Sequence, residues 1–76
     1  MLIINQERNP KYSLYHIGAV ILNLLLKKNP YEIQNLFTDL NEQYDETLSA
    51  EYFHITLDWL FLIDKIEIQE NKVWKK

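Results

Sequence analysis

The stretch Leu57-Asp58-Trp59-Leu60-Phe61-Leu62-Ile63-Asp64-Lys65-Ile66-Glu67-Ile68-Gln69-Glu70-Asn71-Lys72-Val73-Trp74 changes its hydrophobic period part-way along. Up to about Lys65 the apolar residues recur at helical spacing. From Ile66 they alternate with Glu67 and Gln69, the pattern of a strand with one face on a core. Glu70-Asn71 then supplies a tight turn, since Asn tolerates positive φ, and residues 72–75 return as a second strand. A helix that runs straight into a hairpin makes the chain α+β.

Working back from this point, Ser49 caps a third helix over residues 50 to about 65. Residues 43–48 form a polar loop. Before the loop, Ile33, Leu36, Phe37, Leu40 and Tyr44 make a one-sided helical stripe. Asn29-Pro30-Tyr31-Glu32 predicts the start of that second helix: Asn caps, Pro takes the first helical position, and Glu reaches back to the cap amide. Ser13 caps a first helix running to about residue 28, where Lys27 and Lys28 suit the negative end of the dipole. Leu2-Ile3-Ile4, ahead of a polar stretch and Pro10, predicts an edge strand. The order is strand, helix, helix, helix, hairpin. It predicts a small winged-helix-like domain with the hairpin as its wing, one domain over residues 1–76.

A winged helix commonly grips DNA, but this chain is poorly charged for it. The formal net charge is −3, and no Lys or Arg occurs between Asn29 and Asp64. That stretch carries Glu32, Asp39, Glu42, Asp45, Glu46, Glu51, Asp58 and Asp64. Phosphate binding depends on neutralising cations, so the second and third helices are not expected to hold a duplex. Lys72, Lys75 and Lys76 around Trp74 form the one basic cluster. They keep a DNA-binding regulator as the alternative reading, with an affinity that would be weak and steeply salt-dependent. Cysteine is absent, which excludes disulfides and thiolate metal sites. The longest apolar run, residues 17–26, is short against the roughly 20 residues of a membrane span. A cytoplasmic protein without membrane association is expected.

The apolar content is high for the length: 47% hydrophobic and 13% aromatic over 76 residues. A domain this small buries only about 60% of the surface its unfolded chain exposes. On a helical wheel the third helix has one narrow polar arc, formed by Glu51, His54, Asp58 and Lys65. Its apolar arc covers about 260°, against the 100° or so that a surface helix needs. The first helix shows only His16, Asn23 and Lys27 as a polar strip. Packing these two helices against each other uses most of the apolar positions. It leaves Tyr15, Leu26, Phe61 and Leu62, which lie towards the polar strips, as expected partner-contact residues, with Tyr12 and Trp74 beside them. A self-associating structural protein would hide the same residues in a homodimer.

Catalytic chemistry is not expected. His16 and His54 lie on different helices, with no carboxylate or second histidine at metal-ligand spacing. Glu51, His54 and Asp58 share one face and read as a solvated strip. The single glycine, Gly18, sits inside a helix, so no phosphate loop is possible; it permits close helix packing or is simply tolerated. Ser13, Thr38, Ser49 and Thr56 have no histidine base or nucleophile-elbow context. No enzyme activity, cofactor or metal is therefore predicted.

Several segments resemble the small middle components of bacterial ABC-three-component systems, in particular the short middle component 6 type. They are Met1-Leu2-Ile3-Ile4-Asn5, Ile17-Gly18-Ala19-Val20-Ile21-Leu22 with Leu24-Leu25, Tyr31-Glu32-Ile33-Gln34-Asn35-Leu36-Phe37, and Leu57-Asp58-Trp59-Leu60-Phe61-Leu62-Ile63-Asp64-Lys65-Ile66-Glu67. The resemblance covers nearly the whole chain. Where many relatives carry a glycine before the wing, this chain has Asp64-Lys65. The resemblance implies a subunit of a Lamassu-type antiphage or antiplasmid defence complex. In such a complex an SMC/Rad50-like ABC ATPase senses DNA and an effector, often a nuclease, acts. The middle component would be a non-catalytic adaptor or regulator between them. The family supplies no catalytic residues to carry over.

Overall fold

A computed structural model describes residues 13–44 and 47–76. The strand expected at Leu2-Ile3-Ile4 and the contact residue Tyr12 lie outside the described residues. Six elements follow in order: α1 (Leu14–Lys27), β1 (Tyr31–Glu32), α2 (Ile33–Asn41), α3 (Ala50–Leu62), β2 (Ile66–Gln69) and β3 (Lys72–Lys75). Three helices and a three-stranded antiparallel sheet make a small α+β domain with a C-terminal hairpin, compatible with a winged-helix arrangement.

Both serine caps form. The Ser13 hydroxyl accepts from the His16 amide at 3.0 Å, and Ser49 accepts from Tyr52 at 3.0 Å, each satisfying a donor that the helix start leaves without a partner. The α2 stripe also forms: Leu36 and Leu40 are buried, with Ile33, Phe37 and Tyr44 packed against them.

The start of α2 differs from the sequence reading. Tyr31 and Glu32 are a strand rather than the first helical turn, paired with Val73 and Lys72 of β3. Asn29 does not cap a helix. Its side-chain oxygen accepts from the Lys75 amide at 3.1 Å, and the Asn29–Pro30 peptide is cis. Glu32 stands at the N-cap position of α2 without a side-chain capping bond; its carboxylate accepts from Asn35 Nδ2 at 3.0 Å. The Ile33 amide instead donates to the Asn71 carbonyl at 3.0 Å. A local cap is worth about 1 kcal/mol. Two ladder pairs and a buried Tyr31 ring outweigh it.

The sheet order is β1-β3-β2, so the last strand is the central one. Gln69 pairs with Lys72 across a two-residue turn in which Glu70 has φ 50° and Asn71 φ 66°. Two successive positive φ values belong to the type I′ turn, whose twist matches that of the flanking strands.

Helix α3 ends at Leu62, three residues short of the expected limit. The Lys65 amide donates to the Leu60 carbonyl at 2.9 Å and the Asp64 amide to Phe61 at 3.0 Å. With Asp64 at φ 65° this is a Schellman cap, and Asp64 occupies the left-handed position usually given to glycine. The Lys76 ammonium donates to the Asp64 carboxylate at 2.6 Å. This bond first, and the charge of Lys76 with it, holds the Asp64 carboxyl below the usual carboxylate range.

Ile17, Ile21 and Leu25 of α1 meet Tyr52, Phe53, Leu57 and Leu60 of α3 in one core, which Ile66 and Val73 close from the sheet. The buried Thr56 hydroxyl donates to the Tyr52 carbonyl at 2.9 Å. Leu48, assigned to the polar loop by sequence, is a core residue at 1% exposure. Asn41 Oδ1 accepts from the Leu48 amide at 2.7 Å and so draws this end of the loop inward.

Candidate docking surface

Five of the six expected contact residues fall within the described residues, and all five are exposed: Tyr15 72%, Leu26 68%, Phe61 52%, Leu62 78% and Trp74 40%. Singly scattered apolar residues are ordinary on a protein surface, so their grouping decides whether they make a binding surface. Ile63, read as part of the buried arc of the third helix, is exposed as well. It follows Leu62 into the cap, where the chain leaves the core.

The exposed residues do not form one patch. On a helix turning about 100° per residue, Tyr15, Ala19, Leu22 and Leu26 fall in one row along α1, beside its buried face. Tyr15, Ala19 and Leu26 are exposed and Leu22 is half-buried. On α3 the half-buried Ile55 and Trp59 and the exposed Leu62 form a second row, at spacings of four and three. The two rows meet where the Tyr15 ring stands edge-on to Trp59, with centroids 5.3 Å apart and planes at 88°.

Gly18 makes this meeting possible. A Cβ built on Gly18 would lie 2.8 Å from Trp59 Cζ3, and 3.4 Å from Leu60 Cδ2. Of the two uses open from sequence, close packing is the one the structure shows, and the Trp59 ring is what fills the space.

Phe61 lies on the other side of α3. The polar strip of Glu51, His54 and Asp58, all exposed, separates it from Leu62. Trp74 is on the outer face of the hairpin, opposite Glu67 in register and one residue from the buried Val73. Sequence reasoning found these exposed residues, Ile63 excepted, but not their grouping. Ala19, Leu22 and Trp59 were not singled out with them, although the four-three-four spacing of the α1 row was open to reading.

Other chemistry is sparse. Among the described residues no group of three His, Asp or Glu side chains is placed to hold a metal ion. His16 stands 6.3 Å from the Tyr44 ring and His54 5.5 Å from Phe53, both as exposed aromatic neighbours. A shallow cleft of about 270 Å³ lies between Val20, Asn23, Leu24, Lys27 and Gln43. Among the described residues no helix is long and apolar enough to cross a membrane.

A family model described as the ABC-three component (ABC-3C) system Middle Component 6 matches residues 4–76. The chain belongs to this family. No curated protein and no solved structure matches it. As a middle component it is one part of a multi-subunit system, with partner subunits in that system. Its exposed apolar rows are therefore surfaces of a protein that has subunits to meet.

Proposed function

We propose that this middle component is a non-catalytic adaptor of a Lamassu-type antiphage or antiplasmid defence complex. It bridges an SMC/Rad50-like ABC ATPase and an effector, often a nuclease. One observation carries the reading: the exposed apolar residues fall into separate patches, Tyr15, Leu26 and Leu62 on one side of the acidic strip and Phe61 on the other. A bridge needs one such patch for each neighbour. The test is a tagged pull-down from the native bacterium with the bound proteins identified. Stoichiometric recovery of a large coiled-coil ATPase is the expected result. Recovery of the small protein alone overturns the proposal.

Phe61→Asp is expected to fold, because the ring is 52% exposed, and to lose a subunit from the pull-down. Loss of folding would place Phe61 in the core instead. A DNA-binding regulator is the less supported reading. The exposed face of α3 carries Glu51 and Asp58, and Lys76 of the basic cluster is already engaged by Asp64.

A further inference from the structure

The geometry points to the α1/α3 face as the seat of a single helix from a partner subunit, apolar on one side and basic along one flank. This rests on the adaptor reading and deepens it, by stating what kind of element docks and where. Tyr15, Ala19, Leu22 and Leu26 are spaced four, three and four. That is the spacing at which a second helix lays its knobs along a first. The row extends for about 16 Å, roughly three turns at ~1.5 Å per residue. The α3 row of Ile55, Trp59 and Leu62 meets it at the Tyr15–Trp59 ring contact. The α1 row and the Trp59 ring that meets it at Tyr15 form an uncharged surface on the outside of the α1/α3 pair. Ala19, the small residue in the α1 row, is exposed and leaves room for a large partner side chain.

The two borders of this surface differ in charge. Beyond the α3 row lie the exposed acids Glu51 and Asp58, with the exposed His54 between them. Beyond the α1 row lie His16, Asn23 and Lys27. A helix seated here meets carboxylates along one flank, as charged e and g positions do in a coiled coil, and is best matched by Lys or Arg there. A second copy of this chain is a poor fit. Residues 30–64, which include α2 and α3, contain no Lys or Arg, and the α1 border brings only Lys27. Phe61 faces away from this surface and is not part of the seat.

The test co-expresses the tagged protein with the ATPase and effector subunits of its own system and measures how much of each is captured. Ala19→Arg places a long cation on this surface at an exposed helical position that Arg tolerates. It should lower capture of one subunit at least tenfold while leaving the helical circular-dichroism signal intact. The pair Glu51→Gln with Asp58→Lys should lower capture of that same subunit at least fivefold; Gln at 51 keeps a cation off the positive end of α3. Glu70→Lys, a charge change at the hairpin tip, should leave capture unchanged. Wild-type capture by Ala19→Arg, or by the acidic-rim pair, overturns the inference while leaving the adaptor reading in place. A wild-type dimer in light scattering that Ala19→Arg turns into a monomer also overturns it, making a second copy the occupant. If the wild-type protein captures neither subunit, the adaptor reading fails and the inference falls with it.

Discussion

The Tyr31 hydroxyl donates a hydrogen bond to the Asp39 carboxylate, tying the short strand β1 to the last turn of α2. The Tyr31 ring is buried against the core, opposite Val73, and the Lys28 ammonium lies 5.3 Å from its centroid. The bond to Asp39 first, then burial and the charges of Asp39 and Glu42, push the phenol from 10.0 up to about 12. A phenol with a raised pKa holds its proton in the folded state after the unfolded chain has lost it. The stabilisation is therefore complete below about pH 10 and declines as pH rises towards 12. The decline should not exceed about 1.4 kcal/mol per pH unit, and solvent at the hydroxyl reduces it. Tyr31→Phe should cost about 1–2 kcal/mol at neutral pH. In urea unfolding at several alkaline pH values it should show a shallower fall in stability than wild type.

Gly18→Ala sets two effects against each other. Ala gains about 1 kcal/mol in helix propensity over Gly. The new Cβ meets Trp59 at 2.8 Å, an overpacking that costs about 1–3 kcal/mol. The single variant should be destabilised by up to about 2 kcal/mol. With Trp59→Leu in the background the collision is gone, and Gly18→Ala should become stabilising. A double-mutant cycle from thermal or urea unfolding reads the coupling directly.

The hairpin turn places Glu70, a residue poorly suited to positive φ, beside Asn71, which tolerates it. Glu70 at φ 50° and Asn71 at φ 66° both occupy left-handed space. Replacing them by Asn-Gly, the preferred type I′ pair, should raise stability by about 1 kcal/mol. Asp64→Gly should likewise raise Tm, because glycine suits the Schellman position better and the exposed pair with Lys76 adds little. Asp64→Val should lower it.

Leu48→Ala tests the inward turn of the loop before α3. The side chain is 1% exposed, so its loss should cost about 2–5 kcal/mol, as for a core leucine. Thr47→Ala, one exposed position away, should change stability by less than about 0.5 kcal/mol.

These contrasts separate what sequence could reveal from what it could not. Ser13 and Ser49 signalled their caps, and the change of period at Ile66 signalled the hairpin, because each depends on neighbours a few residues away. Tyr31 did not signal a strand. Its partner Val73 is far along the chain, and Asn29-Pro30 locally resembles a helix start. Leu48 was hidden among polar neighbours, since a single inward leucine has no period. A helical wheel identified Tyr15, Leu26, Phe61 and Leu62 as outward-facing but carries no information on how two helices cross. The Gly18–Trp59 approach and the Tyr15–Trp59 ring contact show where the α1 row meets α3.

The central place of β3 has a consequence for cooperativity. β1 pairs with β3 and β2 pairs with β3, each by an antiparallel ladder. Tyr31 at one edge and Ile66 at the other are thus secured through the same four residues. Displacing that strand releases both flanking strands at once and uncovers the core that Ile66 and Val73 close. Amide protons of all three strands should therefore exchange with one common opening free energy, as a single unit of unfolding.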